Sequence, residues 1–330
     1  MDIGAVKEIL AYWGESPREV EIVRDIFRIR TDNGVRCLKK SNKNLDRVLF
    51  MMDAMDYVQG QGFSNLARCY PTQNKEMAVT YQGSVYYLQQ WLEGRELDYH
   101  NLEDMVLAAE VLGRFHRASI GFIPHPGYQA KNKLGKWPKK LRERTADLRK
   151  YLSLARDRLV SGGFEEILLK HGNWLLYHAE KSIERLSQSH YQDLVDEARD
   201  WGGLVHGDTA SRNFIRQGKN IFMIDFDAIA LDIFVTDLWR LLRRTLSRGR
   251  WEPAAAEQIL NAYHNYVPIE PRHKEVLGAF LQFPEIPWRI INKYFQNENH
   301  TRDYQCFLTN KLKCYLEQQR EIDSFTKSFI

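Results

Sequence analysis

The sequence predicts an α+β chain of two unequal lobes, a small antiparallel β lobe with one helix and a larger, mainly helical lobe, with a cleft between them. Three observations predict it. Up to about residue 92 the apolar residues alternate in short runs; after Leu92-Glu93-Gly94 they recur at helical 3/4 spacing; and one β-like patch, residues 203–227, interrupts the helical part. The lobes are accordingly expected at 1–92 and 93–330, in a chain of 330 residues whose length alone allows about two domains.

In chain order, MDIGAVKEIL reads as an amphipathic helix, with neither the basic lead nor the continuous apolar core of an export signal. Ile26 to Arg30 and Val35 to Lys39 flank Thr31-Asp32-Asn33-Gly34, a hairpin with a glycine-containing turn. Ser41 to Gln59 carries Leu45, Val48, Leu49, Met52 and Met55 at helical spacing, with Ser41 placed as its cap. Strands follow near Leu66 to Tyr70, Met77 to Tyr81 and Val85 to Trp91. Beyond them the segments 102–118, 138–158, 164–188, 234–248, 254–267, 272–282 and 303–320 read as helices, punctuated by Pro and Gly. In the β-like patch, Gly203 to Val205 and Phe214 to Phe226 flank a polar loop, and Gln217-Gly218-Lys219-Asn220 makes a turn.

Composition excludes several classes. A hydrophobic content of 44% with 27% charged residues is globular, which removes disorder, collagen and fibrous coiled coil. No stretch approaches the roughly 18 uncharged apolar residues of a membrane span, so no membrane is expected as a partner and a cytoplasmic chain is. Cys37, Cys69, Cys306 and Cys314 lack metal-site spacing, which argues against zinc and against a disulfide framework. A net charge of +4 is mildly basic. Nine Lys or Arg against two acids between Lys131 and Lys150, and the group Arg240, Arg243, Arg244, Arg248 and Arg250, concentrate it. The first run reads best as a solvated helix face; the second suits anions. Interleaved aromatics of the kind that stack bases are lacking, so nucleic acid is not the expected partner.

The chemistry gathers in LVHGDTASRNFIRQGKNIFMIDFDAIALD. An Asp at a loop tip can take the proton of an attacking hydroxyl, and an amide oxygen five residues on, with a carboxylate after the next strand, can grip one divalent cation. Asp208, Asn213 and Asp225 fit those roles. Mg²⁺ takes hard oxygen ligands and keeps several waters, so one Asn, one Asp and the phosphates of a nucleotide suffice. His116 sits on a helix face turned to the core and reads as a satisfied core histidine.

The segment His206-Gly207-Asp208 through Asn213, followed by Ile224-Asp225-Phe226-Asp227, resembles the aminoglycoside and choline phosphotransferase branch of the protein-kinase-like superfamily. That resemblance implies a protein-kinase-like bilobal fold, ATP and Mg²⁺ as cofactors, and a hydroxyl acceptor left unidentified. Lys39 then resembles the small-lobe lysine on the nucleotide phosphates, with Lys40 as the alternative, and Gln89, Gln90 and Trp91 lie in the stretch resembling the hinge whose backbone holds adenine. His206 resembles the histidine that orders the loop without moving protons, and Asp237 the helix-start Asp that fixes the loop backbone. Arg212, four residues after Asp208, is similar to an arginine of tyrosine kinases; it steadies the base, neutralises the transferring phosphoryl group, or is an exposed loop arginine.

The hairpin ending in Leu38-Lys39, Trp91-Leu92-Glu93-Gly94-Arg95-Glu96, the helix end from Leu112 to Ser119 and Phe283-Pro284-Glu285-Ile286-Pro287-Trp288 together resemble the CotS family of spore-coat kinase-like proteins over most of the chain. The resemblance implies a role in sporulation, deposition on the spore coat and other coat proteins as partners. Two departures stand out. Glu19 to Asp25 has no glycine where kinases bring backbone N–H groups onto phosphates. The helix 41–60 has no Glu, which leaves Asp53 or Asp56 to orient the lysine. The sequence therefore supports two readings, an ATP- and Mg²⁺-dependent phosphotransferase and a catalytically idle scaffold of the coat.

Overall fold

Alternation in the first ninety residues folds into one antiparallel sheet. In this computed structural model, which describes residues 3–158, 163–249, 251–296 and 301–329, a helix α1 (Ile3–Ala11) precedes β1 (Glu19–Val23), β2 (Ile26–Thr31) and β3 (Gly34–Ser41). Then come α2 (Leu45–Gly60), β4 (Cys69–Tyr70), β5 (Val79–Tyr81) and β6 (Ser84–Gln90). The sheet order is β1-β2-β3-β6-β4, with β5 also on β6. Because strand side chains alternate, the sheet has two covered faces. Ile29, Leu38, Tyr86 and Leu88 pack on Val6, Ile9 and Leu10 of α1, whereas Val85 and Tyr87 join the core that α2 shares with the helical lobe.

Several elements differ from the expectation, each for a local reason. Ser41 pairs with Val85 as the last residue of β3, so it is still strand; Asn44 caps α2 instead, accepting the Arg47 N–H at 2.9 Å. The glycine-free stretch from Glu19 is itself strand β1, joined to β2 by Arg24-Asp25, with Arg24 at φ 56°. The strand expected at 66–70 is only Cys69–Tyr70, and Leu66 makes an isolated bridge to Met223.

After a short pairing strand β7 (Arg95–Glu96), the chain becomes helical: α3 (Leu102–Ser119), α4 (Trp137–Asp157), α5 (Phe164–Gln188) and α6 (Tyr191–Trp201). The polar loop and turns singled out in the sequence sit among β8 (Leu204–Val205), β9 (Phe214–Gln217), β10 (Asn220–Met223) and β11 (Ala230–Leu231). The helices α7 (Val235–Leu246), α8 (Pro253–His264), α9 (Pro271–Gln282), α10 (Glu285–Gln296), α11 (Arg302–Leu316) and α12 (Gln319–Ser328) complete the lobe. Helices α6 and α10 were not anticipated, and the expected helix 303–320 is broken at Glu317-Gln318 into α11 and α12. Two prolines near the start of α10 hide its period, yet both are tolerated in a first turn whose N–H groups have no helical partner.

β7 pairs with β9, so the chain leaving the small lobe is stitched at once to the β-rich patch. Gly94, at φ 151°, permits this: a Cβ there would lie 2.5 Å from the Arg216 carbonyl oxygen. Among the described residues no helix is long and apolar enough to cross a membrane, and all four cysteines are free.

Candidate active site

The site is built outward from one buried carboxylate. Asp237, in the first turn of α7, is fully buried and accepts the N–H groups of His206 at 2.6 Å and Gly207 at 3.0 Å. It also meets His116 Nε2 at 3.3 Å and Arg240 at 3.2 Å. Burial pushes its pKa upward, but His116 and Arg240 outweigh that and hold it well below the usual carboxylate range. His116 is itself fully buried, with Nδ1 2.7 Å from the Tyr263 hydroxyl, a core histidine as the sequence suggested. Gly207 adopts φ 81°, and a Cβ there would stand 2.4 Å from the Ala228 carbonyl oxygen, so the turn between His206 and Asp208 requires glycine.

His206 spends both ring nitrogens on backbone. Nε2 lies 3.0 Å from the Ile224 carbonyl oxygen and Nδ1 accepts the Asp208 N–H at 3.3 Å, which assigns a neutral ring with its proton on Nε2. Burial keeps it neutral by lowering its pKa. The ring thus ties the Asp208 loop to the turn that carries Asp225, and it has no nitrogen left for proton transfer.

Asn213 continues the link. Its side-chain amide donates to the Asp208 carbonyl oxygen at 2.8 Å and to the Asp208 carboxylate at 3.3 Å, while its own backbone carbonyl accepts the Ile224 N–H at 2.9 Å. With the NH₂ group spent on Asp208, the amide oxygen is the Asn213 atom that could coordinate a cation. Asp225 follows at φ 66°, ψ 61°, a left-handed conformation rare for a non-glycine residue and common at functional turns. Its carboxylate is 41% exposed and meets Lys39 Nζ at 3.2 Å.

The β3–β6 register explains why Lys39 and not Lys40 reaches the site. Lys39 stands opposite Tyr87 on the sheet face turned to the helical lobe, and both side chains cross to the 225–227 turn: Lys39 to Asp225, and the Tyr87 hydroxyl to Asp227 at 2.8 Å. Lys40, one residue on, is exposed. Burial opposes the Lys39 charge, but Asp225 and Asp227 raise its pKa above the ordinary lysine value. Asp53 and Asp56 do not pair with it; Asp53 instead accepts the His125 N–H at 3.3 Å.

Asp208 is paired with Arg244 of α7 at 2.6 Å. Burial raises its pKa, and Arg244, with smaller help from Arg212, reverses the direction and keeps it ionised. Arg212 is exposed; the arginine paired with Asp208 is Arg244, which the sequence offered only as part of an anion-binding group. The signal was its seven-residue step from Asp237, two helical turns that set both side chains toward one loop. Arg240 and Arg243 are buried, Arg248 is exposed, and Arg250 lies outside the described residues.

In the stretch expected to be a hinge, the Gln89 side chain donates to Cys69 Sγ at 3.1 Å, and the N–H groups of Gln90 and Trp91 donate to the Arg68 and Val35 carbonyls. Among the described residues no group of three or more His, Cys, Asp or Glu is placed to hold a metal. The donor set here is instead one amide and one carboxylate, which fits Mg²⁺ shared with phosphate oxygens and waters.

A family model described as "Phosphotransferase enzyme family" matches residues 21–276. Spore coat protein S of Bacillus subtilis (strain 168) is 26% identical over 305 residues, covering 90% of this chain and 86% of that protein. An aminoglycoside phosphotransferase from Alicyclobacillus acidocaldarius subsp. acidocaldarius DSM 446 has a TM-score of 0.85 at 21% identity, covering 98% of this chain and 94% of that one. A spectinomycin phosphotransferase solved with ADP and spectinomycin has a TM-score of 0.68 at 12% identity, over 98% and 99% of the two chains. The fold is the bilobal, protein-kinase-like one, with a small antiparallel sheet lobe and a larger helical lobe.

Proposed function

From the chain's membership of the phosphotransferase enzyme family, we propose that it transfers the γ-phosphoryl group of ATP to a hydroxyl, with Asp208 as the residue that receives the acceptor. The observation that carries this is the continuous linkage Asp208–Asn213–Ile224–Asp225–Lys39, in which Asp208 would serve as base, Asn213 and Asp225 as cation ligands and Lys39 as the cation on the phosphates. Asp208 orients the acceptor hydroxyl and takes its proton as the new P–O bond forms; the bond from γ-phosphorus to the β-phosphate oxygen breaks and ADP leaves. Arg244 keeps Asp208 ionised and fixed, so no reorganisation accompanies attack. Lys39 holds the nucleotide phosphates, exchanging its contact with Asp225 for them. Asn213 and Asp225 would hold Mg²⁺, which when bound neutralises charge on the phosphates.

Thermal unfolding of the full chain with and without Mg·ATP tests nucleotide binding, because a ligand of the native state alone must stabilise it by mass action. Transfer to a panel of hydroxyl compounds, wild type against Asp208→Asn, tests chemistry. A nucleotide-dependent shift with equal rates in both proteins would remove the catalytic assignment.

A second reading rests on two observations, the likeness to a spore coat protein and the tight β1–β2 turn without glycine. In it the chain is a kinase-like component of the spore coat in which nucleotide, if bound, is structural. Absence of any shift at millimolar Mg·ATP selects this reading. Under both readings the likeness to a spore coat protein supports a role in sporulation.

A further inference from the structure

The side chains that α4, α7 and α10 bring together near Asp208 hold more cations than carboxylates. Arg244 touches Asp208 at 2.6 Å. Arg289 of α10, with 55% of its side chain exposed, lies within electrostatic reach of both Arg244 and Asp208. It shares one fully buried carboxylate, Glu285, with Arg144 and Arg243: Arg289 at 2.7 Å, Arg243 at 3.5 Å and Arg144 in a short contact. One negative charge thus serves three guanidiniums.

The positive surface continues along α4. The Arg144 guanidinium stacks 4.2 Å from the Trp288 ring, and Lys140 Nζ sits 4.6 Å above Trp137, whose ring also faces Arg144 at 5.8 Å and Arg240 at 5.5 Å. Lys133, half-buried at the start of the run, is under the field of Arg240. The acids nearby offset only part of this charge: Asp232, buried and taking the Trp137 indole N–H at 2.9 Å, faces Lys133, Lys140 and Arg240, Asp147 takes the Trp288 indole N–H at 3.2 Å beside Arg144, and Asp237 pairs with Arg240. Burial, then Arg144, Arg240 and Arg289, lower the Lys140 pKa to about 8, the behaviour of a cation crowded by others. The run read from sequence as a solvated helix face is therefore partly turned inward, toward the arginines of α7 and α10.

Resting on the proposed phosphotransfer at Asp208, we infer that the phosphoryl acceptor is a small anion, a hydroxyl compound carrying a phosphate or carboxylate group that Arg289, Arg144 and Lys140 bind while its hydroxyl reaches Asp208. A cationic acceptor such as an aminoglycoside or an amino alcohol would add charge to a wall already short of counter-charge. The recessed positions of Arg144 and Lys140 favour a small molecule over an acidic segment of a folded partner.

The test titrates the full chain with inorganic phosphate, malonate and spermidine, with the nucleotide site saturated by Mg·AMP-PNP, and reads thermal unfolding. Phosphate or malonate is expected to raise the transition saturably, the tighter of the two naming the acceptor's group, and spermidine to leave it unchanged. Arg289→Gln with Lys140→Gln should raise the half-saturating anion concentration at least tenfold, Arg289→Lys should retain most of the binding, and AMP-PNP affinity should stay as in wild type. A shift with spermidine, no shift with either anion, or equal anion affinity in the double variant overturns the inference while AMP-PNP binding leaves the phosphotransferase reading standing. Failure of AMP-PNP to bind removes that reading, and the acceptor role with it, even if phosphate binds. Transfer of phosphate to an acidic peptide and to none of a set of sugar phosphates and hydroxy acids also overturns it.

Discussion

Asp237→Asn separates the anchor of the 206–208 loop from the proposed chemistry at Asp208. The carboxylate accepts the His206 and Gly207 N–H groups and balances Arg240, all where Asp237 has no exposure. The amide keeps one acceptor oxygen and turns an NH₂ group toward the other donor. Hydrogen bonds to a charged group contribute about 1.5–3 kcal/mol each, and breaking a buried ion pair costs about 3–5 kcal/mol. These terms overlap, because Arg240 also bonds the Thr236 carbonyl oxygen, so the expected loss is about 3–5 kcal/mol in total. At roughly 2 °C per kcal/mol for a chain of this size, the thermal midpoint should fall by about 6–10 °C. The assay is urea unfolding followed by tryptophan fluorescence, with Trp239, two residues from the substitution, as a buried reporter. A loss below about 1 kcal/mol with transfer activity intact would refute the view that this carboxylate holds the loop.

Asp208→Asn should lower transfer by at least about 10²-fold, the usual contribution of a general base, while Mg·ATP still stabilises the protein, measured by coupled ADP release and thermal unfolding. Lys39→Met should weaken ATP binding with little change in KM for the acceptor, read by titration of each substrate. Gly207→Ala places a Cβ 2.4 Å from the Ala228 oxygen at φ 81° and should reduce both stability and transfer; unchanged activity would remove the requirement for glycine. His116, His178 and His206 have pKa values lowered chiefly by burial, so below about pH 6.5 the unfolded chain binds protons that the folded chain refuses. Stability should therefore fall as pH drops from 7.5 to 5.5. Asp232, pushed up to about 6 by burial, opposes this by less than one proton; a flat urea midpoint over that range would contradict the neutral, buried histidines.

The parts of the fold visible in the sequence were those where local period and burial agree. The run from Phe164 to Gln188 repeats its apolar residues through seven turns and is helix α5 over the expected range. Helix α2 was legible by period but not at its start, because Ser41 and Asn44 are both good caps and only pairing of β3 with β6 decides that the chain is still strand at Ser41. The loop 206–225 was legible because glycine, carboxylate and amide spacings survive without tertiary information. Arg244 and Tyr87 were not placed at the site, since their contacts with Asp208 and Asp227 span 36 and 140 residues. Such contacts are set by the packing of α7 and by strand register, neither of which has a local pattern.

The two departures from kinase pattern have different weights once the register is known. A small-lobe lysine normally needs an acid from the adjoining helix because it stands on a sheet face with nothing else to fix it. Here Tyr87, its cross-strand neighbour, bonds Asp227, and Lys39 bonds Asp225. The lysine is thereby oriented by the 225–227 turn itself, and α2 need supply no Glu. In the proposed reaction this arrangement would make a divalent cation and Lys39 compete for one carboxylate: phosphates would draw Lys39 away, and the cation would take its place on Asp225. Lys39 and Mg²⁺ should then be coupled, with Lys39→Met tightening the apparent affinity for the free cation while weakening that for ATP. The glycine-free β1–β2 turn has no such substitute among the described residues, so in the proposed reaction few backbone N–H groups would reach the phosphates from above. Affinity for ATP is expected to rest on Lys39 and the Asn213–Asp225 pair, and Asp225→Asn should cost more in ATP binding than any substitution in the 19–26 hairpin.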